Sequence, residues 1–144
     1  PRVRYFEGED GLEAMDRYGR NLLKKNTEIL SITPIDLVEK MFPERRKKSL
    51  GERVKLGIKA KAIYTNAAGE LPGYQNKAEL REGIFIPRDK LPINSTITIY
   101  PDWGVKFYYY DEKKPYGVVI EDKGIAENMA LFYGLAWTGA KEKK

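Results

Sequence analysis

The sequence predicts an α/β fold: a mixed, mostly parallel sheet with helices on both faces, ordered β-α-β-α-β, then β-hairpins and a closing C-terminal helix. Three observations carry this prediction. Apolar residues alternate with a period of two in Ile58–Tyr64, Ile93–Ile99 and Val105–Tyr109, the pattern of half-buried strands. Apolar residues fall at three- and four-residue spacing near Asp10–Lys25, Ile35–Leu56 and Asp122–Trp137, the pattern of amphipathic helices. Strand and helix alternate through the first half of the chain, which implies parallel strands joined by crossovers.

Taken in order, Val3, Tyr5 and Phe6 start a first strand that ends at Gly8. Asp10 is a candidate cap for a helix reaching about Lys25, with Leu12, Met15, Tyr18/Gly19 and Leu22 on one face. Thr27–Ile32 reads as a second strand. Pro34 is tolerated in a first helical turn, and Ile35, Leu37, Val38 and Met41 give that helix its apolar side. Pro43 breaks or restarts it, and Gly57 ends the continuation through Leu56. A third strand follows over Ile58–Tyr64. Thr65–Lys77, with two Gly, one Pro and two Asn, is a loop. Leu80–Ile86 is a short strand, and Pro87–Pro92 a turn-rich link.

The best-patterned block is Ile93–Trp137. Ile93, Ile97 and Ile99 alternate with Asn94, Thr96 and Thr98, and Pro101-Asp102-Trp103-Gly104 is turn chemistry. Val105, Phe107 and Tyr109 then alternate against Lys106, Tyr108 and Tyr110. Tyr116–Glu121 reads as a strand buried on both faces. Asp122 caps the last helix, whose stripe Ile125, Met129, Phe132 and Ala136 is expected to face the sheet. The tail Thr138–Lys144 is expected to fray.

Composition narrows the function. The 144 residues are expected to form one domain with a real core, and 42% hydrophobic and 12% aromatic residues exclude a disordered chain. No apolar run approaches the ~20 residues of a membrane span. No signal segment opens the chain; beginning at Pro1, it reads as a processed chain or a domain cut from a longer protein. There is no Cys, which fits a reducing cytoplasm. There is also no His, which removes the commonest acid–base group, the usual zinc ligand and the Ser-His nucleophile pair. No cofactor and no metal are expected.

Three groups of residues are candidates for chemistry. Arg45, Arg46, Lys47, Lys48, Arg53, Lys55, Lys59 and Lys61 form a basic segment within a net charge of +5. It reads either as an anion or nucleic-acid contact or as a solvated helix face. Tyr108–Tyr110, with Tyr100, Trp103 and Tyr116 nearby, reads as a stacking platform or as a sheet surface or dimer interface. Glu7 with Asp10, and Glu121 with Asp122, are paired by adjacency only, and Asp122 is better explained as a cap. No Gly-rich phosphate loop is present.

The pattern as a whole resembles the C-terminal domain of TrmB-type transcriptional regulators, a sugar-sensing family found mostly in archaea. PRVRYFEGEDGLEAM looks like the start of that domain, and RVKLGIKAKAIYT like its helix-to-strand segment. STITIYPDWGVKFYYY followed by YGVVIEDKGIAENMALFYGLAW looks like its ending. The resemblance implies a phospholipase-D-like fold used for effector sensing and dimerisation, with DNA bound only through a separate winged helix-turn-helix that this sequence does not contain. The family's C-terminal sugar-binding extension is missing as well. Phospholipase-D-like enzymes use H-x-K-x4-D. Counted back from Asp102, the His and Lys positions are Ser95 and Ile97, or Asn94 and Thr96 if the turn carries one insertion. Neither register supplies the catalytic pair.

The sequence therefore reads as a cytoplasmic, non-enzymatic sensor and homodimerisation domain with a degenerate cleft. A small sugar or phosphorylated effector is expected to meet Arg53, Ser95, Ile97, Tyr100 and Asp102. Arg45, Arg46, Lys47, Lys48, Lys59 and Lys61 are the expected anion or nucleic-acid contacts. The rival readings are a nucleic-acid-binding module built on Arg45–Lys61 and a His-free enzyme using Lys and carboxylates.

Overall fold

The computed structural model describes residues 1–143. It contains β1 (Arg2–Glu7), α1 (Gly8–Arg20), β2 (Glu28–Pro34), α2 (Ile35–Met41), α3 (Pro43–Lys55), β3 (Lys59–Thr65) and β4 (Arg81–Phe85). Then come β5 (Ser95–Tyr100), β6 (Gly104–Tyr109), β7 (Tyr116–Glu121) and α4 (Lys123–Lys143). The mixed α/β class and the element order are as the sequence predicts, with α1–α3 on one face of the sheet and α4 on the other.

The sheet itself corrects one expectation: it is mostly antiparallel. Its order is β1-β7-β6-β5-β2-β3-β4, and only β2·β3 and β3·β4 are parallel. Two causes act. The short turns joining β5, β6 and β7 leave no room for crossovers, so those strands must pair antiparallel. In addition, β1 does not lie beside β2 but crosses to the far edge and pairs with β7, with Arg2 opposite Glu121. The first β-α-β unit therefore contributes no parallel pair.

Local chemistry sets most boundaries. Phe42 leaves the helical region, and Pro43, having no N–H to contribute, takes the first position of α3. Gly57 follows the helix with φ +68° and accepts the left-handed turn that ends it. The Asp122 carboxylate caps α4 by accepting from Ile125 N at 2.9 Å. Asp10 is not a cap. Helix α1 begins at Gly8, and Asp10 lies within its first turn, where the helix dipole favours an acid. That helix stops at Arg20, short of Lys25.

The two sheet faces differ in kind. On the α4 side, Leu30, Ile63, Ile84, Ile86, Ile99 and Val105 pack with Tyr133, Trp137 and Ala140. The Tyr133 hydroxyl donates to the carbonyls of Ser31 and Lys61, fixing the helix across β2 and β3. The stripe of α4 that meets the sheet is therefore Ala126, Met129, Ala130, Tyr133, Trp137 and Ala140. Of the expected stripe only Met129 belongs to it; Ile125 and Phe132 are exposed. The helix is apolar nearly all round, so spacing alone admits either face. Nor does the tail fray: α4 continues to Lys143 with Ala140 buried, while Lys144 lies outside the described residues.

On the opposite side, Leu12 and Met15 of α1 cover Val119 of β7. Val118 and Ile120 on the outer face of β7 stay half-exposed, so this strand is buried on one face only. Beside them Val3 and Tyr5 of β1 are exposed.

Candidate functional site

Strands β2, β3, β5 and β6 turn their other side chains toward α1, α2 and α3, and there the layers do not close. A cavity of about 590 Å3 lies between them. Its floor follows from the strand register. Lys106 stands opposite Thr98, Thr98 opposite Ser31, and Ser31 opposite Ala62, a row crossing four neighbouring strands. A second row runs Tyr108, Thr96, Thr33, Tyr64; within it the Thr33 and Thr96 hydroxyls bond at 2.8 Å, and Thr96 also bonds the Tyr110 hydroxyl at 2.7 Å.

The walls are cationic. Arg17, Arg20, Arg45, Arg46, Lys48, Arg53, Arg81 and Lys106 line the cavity, against Glu13, Asp16, Glu44 and Glu52. The acids that come close are matched. Asp16 accepts from Arg45 Nε at 2.6 Å and from the Tyr108 hydroxyl at 2.8 Å, and Arg20 approaches Glu52 at 3.5 Å. Burial works against the Arg45 guanidinium, but Asp16 more than offsets it and holds its pKa above the ordinary arginine value. Burial, with Asp16 adding to it, pushes the Tyr108 phenol well above its usual range; burial, partly opposed by the Thr96 hydrogen bond and Arg45, takes Tyr110 to about 12. Both stay protonated donors at neutral pH. The Nη1 of Arg45 is buried with no hydrogen-bond partner.

Lys106, like the exposed Arg17 and Lys48, has no ion pair among the described residues. Its side chain lies on the cavity floor, only 7% exposed. Its ammonium sits 5.2 Å from the Tyr100 ring and directly under Gly19 in the last turn of α1. Among the described residues it makes no ion pair and no side-chain hydrogen bond. A cation on the cavity floor without a carboxylate beside it is a place where an anion would find a charge-assisted partner. A Cβ at Gly19 would displace the ammonium, the movable end of a flexible side chain.

The sequence-predicted residues scatter around this site. Tyr100 lines the cavity, whereas Asp102 lies outside it, beside Leu23, Thr27 and Trp103. Ile97 packs toward α4, and Ser95, two residues away on the same strand, shares that face. The alternative register of the degenerate motif is the one that faces the cavity, through Thr96. Arg53 lines the cavity, but its guanidinium is occupied, donating to Ile58 O and Glu79 O at 2.7 Å each. Burial, then the Arg81 guanidinium, lowers its pKa.

The basic segment is not one surface. Arg45, Arg46 and Lys48 reach the cavity, and Arg46 pairs with Glu39. Lys47 is exposed, Lys59 shares the α4 face of β3, and Lys61 sits over the Trp137 ring at 5.1 Å. The aromatic cluster also divides: Tyr108 and Tyr110 join the cavity, while Tyr109 stacks on Tyr116 at 5.0 Å on the open face. Lys106 was missed as a site residue, although its signal was present: it alternates in phase with Tyr108 and Tyr110, on a strand whose neighbour presents Thr96 and Thr98 to the same face.

No family model and no curated protein sequence matches the chain. Solved structures do. TrmBL2, an archaeal chromatin protein with a novel mode of DNA binding, superposes with a TM-score of 0.61 at 15% identity, over 96% of this chain and 53% of that one. The chain thus spans about half the length of TrmBL2. Nuc from Salmonella typhimurium, a phospholipase D family member, gives 0.59 at 11% identity over 95% and 94% of the two chains. NucT from Helicobacter pylori gives 0.65 at 12% over 92% and 93%. The chain therefore carries the phospholipase-D-like fold, as its resemblance to the TrmB-type C-terminal domain implied.

Proposed function

We propose that this chain is a non-catalytic, effector-binding and dimerising domain of a TrmB-like regulator, working in the cytoplasm. In this reading it binds a small anionic effector in the cavity beneath α1–α3, and DNA is contacted by a separate winged helix-turn-helix. The observation that carries the reading is Lys106, a lysine without an ion pair among the described residues on the floor of a cation-walled cavity. A His-free hydrolase using Lys and a carboxylate is disfavoured because, among the described residues, no carboxylate pairs with that lysine. A nucleic-acid surface built on Arg45–Lys61 is disfavoured because Arg45, Arg46 and Arg53 are engaged and Lys61 lies on the other face.

Titration calorimetry with inorganic phosphate is expected to give saturable binding, lost at least tenfold in Lys106→Met. The same protein is expected not to hydrolyse bis-(p-nitrophenyl) phosphate above the buffer rate. Absence of any phosphate binding by the parent chain refutes the anion site, and turnover refutes the non-catalytic reading.

Dimerisation is supported by the outer face of α4. Ile125, Leu131, Phe132 and Leu135 are exposed, and no charged residue occurs between Asn128 and Ala140. In sedimentation equilibrium the parent chain is expected to be a dimer and Phe132→Glu/Leu135→Glu a folded monomer. A monomeric parent at about 100 μM would sink this part of the reading.

A further inference from the structure

We infer that the cavity takes a two-headed ligand, one with an anionic group at each end, and that Lys106 and Tyr74 mark the two positions. This rests on the anion-binding reading above and adds a second anionic group to it. The floor row Lys106, Thr98, Ser31, Ala62 continues onto β4, where Gly83 stands opposite Ala62. The Tyr74 ring lies against Gly83, so closely that a Cβ there would stand 2.6 Å from its Cδ2. Four strand spacings, roughly 19 Å, separate Lys106 from Gly83. A single small anion cannot reach both ends, and the cavity of about 590 Å3 has room for two with a body between them.

The two ends are built alike. Each offers the cavity a side chain only 7% exposed that makes no side-chain hydrogen bond among the described residues, Lys106 at one end and Tyr74 at the other. Each also keeps more cations than carboxylates. At the β6 end Asp16 pairs with Arg45 and Glu52 with Arg20, which leaves Lys106. At the β4 end Arg46, Arg53 and Arg81 line the cavity with Tyr74, and the Arg81 guanidinium lies 4.5 Å over its ring. Glu79 pairs with Arg81 at 2.8 Å and Glu39 with Arg46, whereas Arg53 meets only carbonyls, so three guanidinium groups face two carboxylates. Burial takes the Tyr74 phenol to about 12, although the charges of Arg81, Arg46 and Arg53 all pull it down. It is therefore a protonated donor at neutral pH, set in a positive field, and that combination suits an anion. Packing against Tyr64, with ring centroids 4.0 Å apart, fixes the ring before any ligand arrives. Between the ends the row is uncharged, with the Thr98 and Ser31 hydroxyls and the Ala62 methyl.

Calorimetry on the whole chain compares two-headed ligands with their one-headed counterparts: fructose 1,6-bisphosphate with fructose 6-phosphate, and suberate with its monoamide, alongside inorganic phosphate. In at least one pair the two-headed member is expected to bind tenfold or more tighter, and the pair that does so identifies the anionic groups as phosphate or carboxylate. Tyr74→Phe, which removes only the hydroxyl, is expected to weaken that two-headed ligand at least fivefold while inorganic phosphate stays within twofold of its parent affinity. Lys106→Met is expected to weaken both. Arg46→Gln is expected to repeat the Tyr74→Phe pattern and serves if Tyr74→Phe does not fold. Equal affinities within both pairs, with inorganic phosphate bound, overturn the two-headed inference and leave the anion site standing. A two-headed advantage that survives both Tyr74→Phe and Arg46→Gln overturns it as well, since the second anion then lies elsewhere. If no anion binds, both readings fall.

Discussion

Gly104→Ala is expected to lower the thermal midpoint by roughly 10 °C, a loss of about 3 kcal/mol. Gly104 opens β6 directly after the turn from β5 and lies opposite Glu121. A Cβ there would overlap the Ile120 carbonyl oxygen and stand 3.0 Å from its carbon and 3.2 Å from Glu121 Cα. These are backbone atoms of the neighbouring strand, so no rotamer change relieves the overlap and the β6–β7 rung must open. The cost arises from close approach, not from an unusual φ. Thermal unfolding by circular dichroism measures it, and a shift under about 3 °C would show that the strands separate at little cost.

Arg53→Met is expected to cost a similar amount, about 3 kcal/mol, through a different mechanism. The Arg53 guanidinium joins the end of α3 to the start of β4: Nη1 donates to Ile58 O at 2.7 Å and reaches Leu80 O at 3.5 Å, and Nη2 donates to Glu79 O at 2.7 Å. Methionine retains most of the volume and none of the donors, leaving the buried Ile58 carbonyl and the part-buried Glu79 carbonyl without the partner that Arg53 supplies. Arg53→Lys should recover only part of the loss, because one ammonium cannot span both sites. A urea titration of the three proteins reads this directly. Unchanged stability combined with lost phosphate binding would instead make Arg53 a ligand contact.

Much of the fold was legible because local chemistry and tertiary packing agree. Pro43, Gly57 and Asp122 each leave the backbone little choice, and the alternation in β3, β5 and β6 correctly assigns their side chains to faces. What could not be read were decisions made between distant segments. Nothing in RVRYFE reports that its partner is YGVVIE, more than a hundred residues later, and that single pairing changes the balance of the sheet. Helix α4 offers two apolar faces, and only the position of the Tyr133 and Trp137 rings over β2 and β3 selects one. The site was misread for a related reason. Arg53 is the kind of residue that binds anions, yet backbone carbonyls brought from Ile58 and Glu79 occupy it. Lys106 lay inside a patterned strand and looked like scaffold. The register that places it beside Thr98 and Ser31 is set by strand order, which the sequence of one strand does not carry.

The pairing of β1 with β7 also governs how the molecule can be assembled in time. Arg2 must find Glu121 across almost the whole chain, a closure with a large entropic cost and little local structure to guide it. The parallel β2–β3 unit with its helices and the β5–β6–β7 meander can form from nearer neighbours. The edge that β1 supplies is then added late, onto a β7 already paired with β6. Until that happens, β7 is an open edge whose Val118 and Ile120 are half-exposed even in the finished fold, so when the complete chain refolds the stretch most prone to mispairing is this last strand.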